Sequence, residues 1–238
     1  MKKWGALFLF LPLLIASCRW VGKRIKGNSN IITDTRSLSS FTGVESHGDF
    51  DVYVSTGTAA VKIEADENLQ SYIETDVEDG VLVVRSQKGY RLRPSKPMKI
   101  LVTAPSYSKI ATIGQGNIIG QTKISDPSKI ELRVQGNGDI RLDIDAPEVK
   151  ARLTGNGGIN LKGQTKNFNG EIMGNGNIKA FDLMAEDTRV HIMGNGDADV
   201  YASVKLDVSI GGNGSVRYKG GAQASTHVTG NGTINKVD

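Results

Sequence analysis

Six cations fall within the fifteen residues "RSQKGYRLRPSKPMK": Arg85, Lys88, Arg91, Arg93, Lys96 and Lys99, with Tyr90 among them and no acidic residue. Such side chains hold phosphate or carboxylate by charge and by guanidinium hydrogen bonds, and break no bond in doing so. The stretch is therefore a candidate site for an anionic glycan or lipopolysaccharide. Its plainer account is a solvated loop stiffened by Pro94 and Pro97, because charge runs usually face water. Support for bond-breaking chemistry is thinner. Glycoside hydrolysis needs two carboxyls about 5 to 9.5 Å apart, and no nucleophile–base pair, zinc-ligand spacing or nucleotide loop is visible. No catalytic residue, metal or cofactor is expected.

The elements that position these residues follow from a repeat. Gly-Asn-Gly recurs with its central residue at Asn137, Asn156, Asn175, Asn195, Asn213 and Asn231, each copy following the last after nearly the same interval. A degenerate copy, Gly114-Gln115-Gly116, precedes them. Three residues before each asparagine stand Val134, Leu153, Ile172, Ile192, Ile210 and Val228; three after stand Ile140, Ile159, Ile178, Ala198, Val216 and Ile234. Positions five before and five after continue the alternation, which is strand periodicity. One such repeat cannot close a core, so copies must stack and share one. The expected fold is all-β, a parallel β-solenoid (β-helix) of about 18 to about 20 residues per coil with corners at GNG. An antiparallel meander is the rival, since Asn-Gly is also a hairpin signal.

Glycine at a corner permits positive φ, and stacked asparagines would form an amide ladder. The six asparagines are thus expected as structural corners. A calcium site is the sharper alternative, but the position two after asparagine reads Asp139, Gly158, Asn177, Asp197, Ser215 and Thr233, a poor oxygen cage. Asp139 and Asp197 lie three coils apart, roughly 14 Å, beyond the reach of paired carboxyl catalysis. The outward column Arg133, Arg152, Glu171, His191, Ser209 and His227 is the best candidate for a polysaccharide lyase-like enzyme, and otherwise a solvated strand face.

The chain opens "MKKWGALFLFLPLLIASC": two lysines, an apolar run, then small residues ending at Cys18, the only cysteine. The order of charged, apolar and small residues is that of a secretory signal, too short to span a membrane. Its end resembles a bacterial lipoprotein signal, which implies lipidation of Cys18 and a membrane partner through the acyl chains. The expected organisation is a signal peptide at 1–17, a lipid-anchored basic tether at 18–35, an irregular β portion at 36–113 and the solenoid at 114–238. Of 29 Lys and Arg, two leave with the signal and four lie in the tether, and of 25 Asp and Glu one, Asp34, lies in the tether, so 23 face 24 in the rest. Nucleic-acid binding thereby loses its electrostatic support.

In the first half, "FDVYV", "AVKIEA", "YIETDV", "VLVVRS" and "MKILVTA" read as strands, and Glu78-Asp79-Gly80 as a hairpin turn. Val44, Gly48, Phe50 and Val52 match the repeat at −3, +1, +3 and +5, with His47 in the place of asparagine. The first half is therefore expected as an irregular end of the solenoid.

The lipoprotein start, "FTGVESHGDFDVYVSTG", "YIETDVEDGVLVVRS" and the GNG-x-I repeats together resemble the head GIN domain family of autotransporter adhesin heads, over about residues 38 to 234. The resemblance implies a parallel β-solenoid on a bacterial envelope. A binding or structural module with no enzymatic activity is the leading expectation, and a carbohydrate-active enzyme the alternative. The chain departs from an autotransporter in showing no C-terminal membrane barrel, so a lipid is the expected anchor. An outer-membrane location is expected. The basic start "CRWVGKR" lacks the acidic stretch associated with export to the surface, which favours the periplasmic face.

Overall fold

The computed structural model of the protein describes residues 22–237; Cys18 and the leader lie outside them. Alternation makes the strands and stacking joins them. Ile110, Leu132, Ala151, Gly170, Val190, Val208 and Thr226 stand side by side on consecutive parallel strands of one face. Val52, Ile118, Ile140, Ile159, Ile178, Ala198, Val216 and Ile234 do so on the other. Apart from the last coil these inward columns are buried, among them Ile140 at 0% and Ile178 at 1% exposure. The parallel β-solenoid is the fold, and no Asn-Gly in the repeats turns back as a hairpin.

The two glycines of GNG do different work. The first has φ between +118° and +136° at Gly48, Gly114, Gly136, Gly155, Gly174, Gly194, Gly212 and Gly230. Its carbonyl receives the asparagine amide of the next coil and, at the earlier corners, the second-glycine amide too, as Gly155 does from Asn175 at 3.0 Å and Gly176 at 3.1 Å. The second glycine is not at positive φ. It is required because the coils stack so closely that a β-carbon at Gly176 would enter the Gly157 carbonyl oxygen and the Leu153 side chain. Between them the asparagines form the ladder: each Nδ2 donates to the preceding Oδ1, from Asn156 to Asn137 at 3.1 Å, then 2.9, 2.9 and 3.0 Å as far as Asn213.

The first half joins the same sheet in a different order. Gly43–Gly48 and Asp51–Thr56 form a coil, and Val81–Ser86 with Lys99–Ala104 form the next one outward. The chain then crosses back to lay Lys109–Gly114 on the inner side of Gly43–Gly48. Antiparallel strands Ile31–Arg36, Ala60–Asp66 and Ile73–Glu78 finish this end. A 3₁₀ helix at Glu67–Tyr72 connects Ala60–Asp66 to Ile73–Glu78 and buries Leu69 completely. Asp79 and Gly80, both at positive φ, make the two-residue hairpin.

The register expected at His47 is displaced by two residues. Gly48 pairs with Gly114, so Asp49 holds the asparagine place, Val44 the −5 position and Val52 the +3 position. A two-residue slip keeps every side chain on its own face, so alternation could not detect it. Phe50, fully buried, replaces the second glycine.

Gly176→Ala is expected to destabilise by about 1 to 3 kcal/mol, the usual result of overpacking. Asn175→Ala, which removes two exposed amide bonds, should cost about 1 kcal/mol. Thermal unfolding of the two variants checks the ranking.

Candidate anion-binding site

At most corners the two faces are joined by a tight turn, but between Val81–Ser86 and Lys99–Ala104 the corner is the whole of residues 87–98. Within it Tyr90–Arg93 folds as a strand and pairs in parallel with Lys23–Lys26. The expected tether is thus partly folded. Its register sets Arg24 beside Arg91 and Lys26 beside Arg93. Alternate residues share a face, so these four exposed cations form a two-by-two array, with half-buried Ile25 and Leu92 on the opposite side. Like charges directly opposite one another destabilise a strand pair. Among the described residues none of the four has an acidic partner within ion-pair distance.

The expected basic stretch is divided by the structure. Arg85 is held by three carboxylates, Glu74 at 3.0 Å, Asp76 at 3.1 Å and Glu78 at 2.9 Å. Hydrogen bonds to Glu78 and then Glu74 push its pKa above the ordinary arginine value, so its charge is already answered. Lys99 pairs with Glu64 at 3.3 Å. Tyr90 packs on Tyr72 with ring centroids 4.7 Å apart. Lys88 lies in the turn that leads into the ribbon, and Lys96 is exposed in the loop that follows it. Arg91 and Arg93 remain, joined by Arg24 and Lys26, which the sequence reading had put in the tether. A signal was present: "RIK" at 24–26 and "RLR" at 91–93 share one alternation of basic and apolar residues.

A buried carboxylate fixes the ribbon in place. Asp66, with no exposed surface, accepts the Ser29 amide at 2.7 Å, the Ser95 amide at 2.8 Å and the Ser95 hydroxyl at 2.7 Å. Gly27 packs so tightly on this carboxylate that a β-carbon there would overlap it. Asn68 adds a second tie, accepting the Asn28 amide at 2.9 Å and donating to the Lys26 carbonyl at 2.8 Å. Burial pushes the Asp66 pKa up, but the hydrogen bonds from Ser95 and Ser29 outweigh it and hold the carboxyl below its ordinary value. Beside the ribbon a groove of about 310 Å³ is lined by Arg24, Arg91, Arg93 and the Gly48-Asp49 corner.

Residues 40–222 match the family model described as "Putative auto-transporter adhesin, head GIN domain". The chain belongs to this family. Three solved structures with its architecture each align over their full length. One described as a "putative adhesin" from Bacteroides fragilis has a TM-score of 0.84, 23% identity and 90% of this chain covered. A "Putative lipid binding protein" from Parabacteroides distasonis has 0.74, 27% and 91%. A "putative adhesin" from Parabacteroides merdae has 0.71, 22% and 91%. No curated protein matches.

In this head GIN domain the column considered for lyase chemistry is spread along an exposed face. Arg152 bonds Glu171 at 2.9 Å, Arg133 bonds Gln135 at 3.1 Å, and His227 contacts Thr229 at 3.3 Å. Asp139 bonds Arg141 at 3.1 Å, while Asp197 accepts the Ser215 amide at 3.0 Å. Each of these groups is engaged with its own neighbour.

Because the folded-state pKa of Asp66 is depressed, its contribution to stability is present above the unfolded carboxylate value of about 4 and is lost as pH falls below it. Asp66→Asn should lower the melting temperature at neutral pH and flatten its decline below about pH 4. Melting curves from acid to neutral pH check both effects.

Proposed function

We propose that this chain is an adhesin-like binding module of the cell envelope, anchored by lipid on Cys18, and that it binds an anionic envelope polymer, lipopolysaccharide or acidic glycan, without cleaving it. The anchor is assigned to the outer membrane with the domain on its periplasmic face. The carrying observation is the array of Arg24, Lys26, Arg91 and Arg93, held in register with no acidic partner among the described residues. A protein that keeps like charges adjacent forgoes stability there, and an anion placed over the array restores it. Support also comes from the family description and from the Parabacteroides neighbour named for lipid binding. Lys96 adds charge at the rim.

Two measurements test this reading. Arg91→Glu with Arg93→Glu should abolish retention on immobilised lipopolysaccharide or acidic glycan. It should also raise the melting temperature slightly, because each reversed residue then faces an opposite charge, worth about 0.2 to 1 kcal/mol per pair. Unchanged retention contradicts the site. Cys18→Ser should move the protein out of the membrane fraction and end incorporation of labelled fatty acid; a variant that fractionates like the parent contradicts the anchor.

A further inference from the structure

We infer that the ribbon also meets the layer of phosphate headgroups in the leaflet that carries the anchor, so that this end of the solenoid is held at the membrane surface. The inference rests on the proposed lipidation of Cys18 and on the ribbon as the anion site.

Distance favours the leaflet. The strand Lys23–Lys26 begins five residues after Cys18, and five residues span at most about 18 Å even when fully extended. A tether free along the whole of 18–35 would let the domain roam. Here residues 23–36 contribute two strands, so the ribbon cannot leave the neighbourhood of the headgroups. A binding surface confined this closely meets its ligand at high effective concentration, whereas a soluble polymer must compete from solution. The sequence between Cys18 and the first strand includes Arg19 and Trp20, types favoured at a membrane interface.

Shape favours it as well. The four cations lie on one face of a two-stranded ribbon, spaced about 5 Å across and about 7 Å along, as the strand geometry sets them. A flat array meets a plane of phosphates more fully than it wraps one small anion. Asp49 also lines the groove beside it, and its carboxylate repels an anion that enters there. Lys96 extends the positive surface, while Arg85 and Lys99 are answered by their own carboxylates. The clamp of Gly27, Ser29 and Ser95 on Asp66 ties both strands of the ribbon to the capped end, so contact at the ribbon orients the whole domain.

The test uses the mature chain from residue 18 onward with Cys18→Ser, made without leader or lipid, and vesicles of phosphatidylcholine with or without phosphatidylglycerol. The expected result is co-sedimentation with the anionic vesicles alone, weakening steeply with salt. Each cation should contribute about fivefold to partitioning, so Arg91→Ala with Arg93→Ala should lower it about 25-fold with no loss of melting temperature. In the lipidated chain, trypsin cleavage at Arg24, Lys26 and Arg91 should slow on anionic vesicles and not on neutral ones. Equal behaviour on the two vesicle types overturns the inference. Retention on lipopolysaccharide or acidic glycan without vesicle binding overturns it while leaving the proposed function intact; loss of all three overturns both.

Discussion

Where one coil passes over the next at the GNG corner, the second glycine sits so close to the carbonyl of the coil below that no β-carbon fits between them. The rest of the solenoid depends on that approach. It lets the first-glycine carbonyl take the amide of the next coil's corner residue and brings the asparagine amides within bonding distance of one another. Parallel strands on both faces are held in one register as a result, and the inward columns meet as a continuous core. The period seen in the sequence is the imprint of a steric limit at each corner, with the hydrophobic columns following from it.

At the capped end the limit is relaxed in two steps. Phe50 stands in the place of a second glycine with its ring fully buried, and Gly48-Asp49 still turns. One layer further out the corner is abandoned for residues 87–98, and a strand from the beginning of the chain pairs with it. The charged ribbon can exist because this layer has no neighbour stacked on its corner. Asp66 then supplies what repeat stacking supplies elsewhere, a fixed position for the backbone.

Much of the architecture was legible because alternation and equal spacing act locally: the strands, the corners, the solenoid and the Asp79-Gly80 hairpin all rest on residues near one another in sequence. The register at His47 was not, since a slip of two residues leaves inward and outward faces unchanged. The slightly longer interval between Asn175 and Asn195 also carried more than it disclosed. Pairing shifts there between Asn160 and Lys162, with Phe181 falling in the shift and lying under Arg217 and Lys219 at 5.5 and 5.3 Å. The candidate site was legible only as a run of charge. Charge count marked residues 85 to 99, but which cations are answered depends on Glu64, Glu74, Asp76 and Glu78, brought near by antiparallel pairing that the repeat does not encode. Arg24 and Lys26 read as linker because their partner strand lies far along the chain, at Tyr90–Arg93.

Amide hydrogen exchange across residues 22–30 and 87–98 tests the central claim most directly, because the ribbon must exist before it can bind anything. The Lys23 and Gly27 amides, bonded to the Gly89 and Arg93 carbonyls at 2.8 and 2.9 Å, should exchange far more slowly than an unstructured segment, and slower still with an anionic ligand present. Exchange of both at the rate of a free linker, with no change on adding lipopolysaccharide or anionic vesicles, would contradict the account.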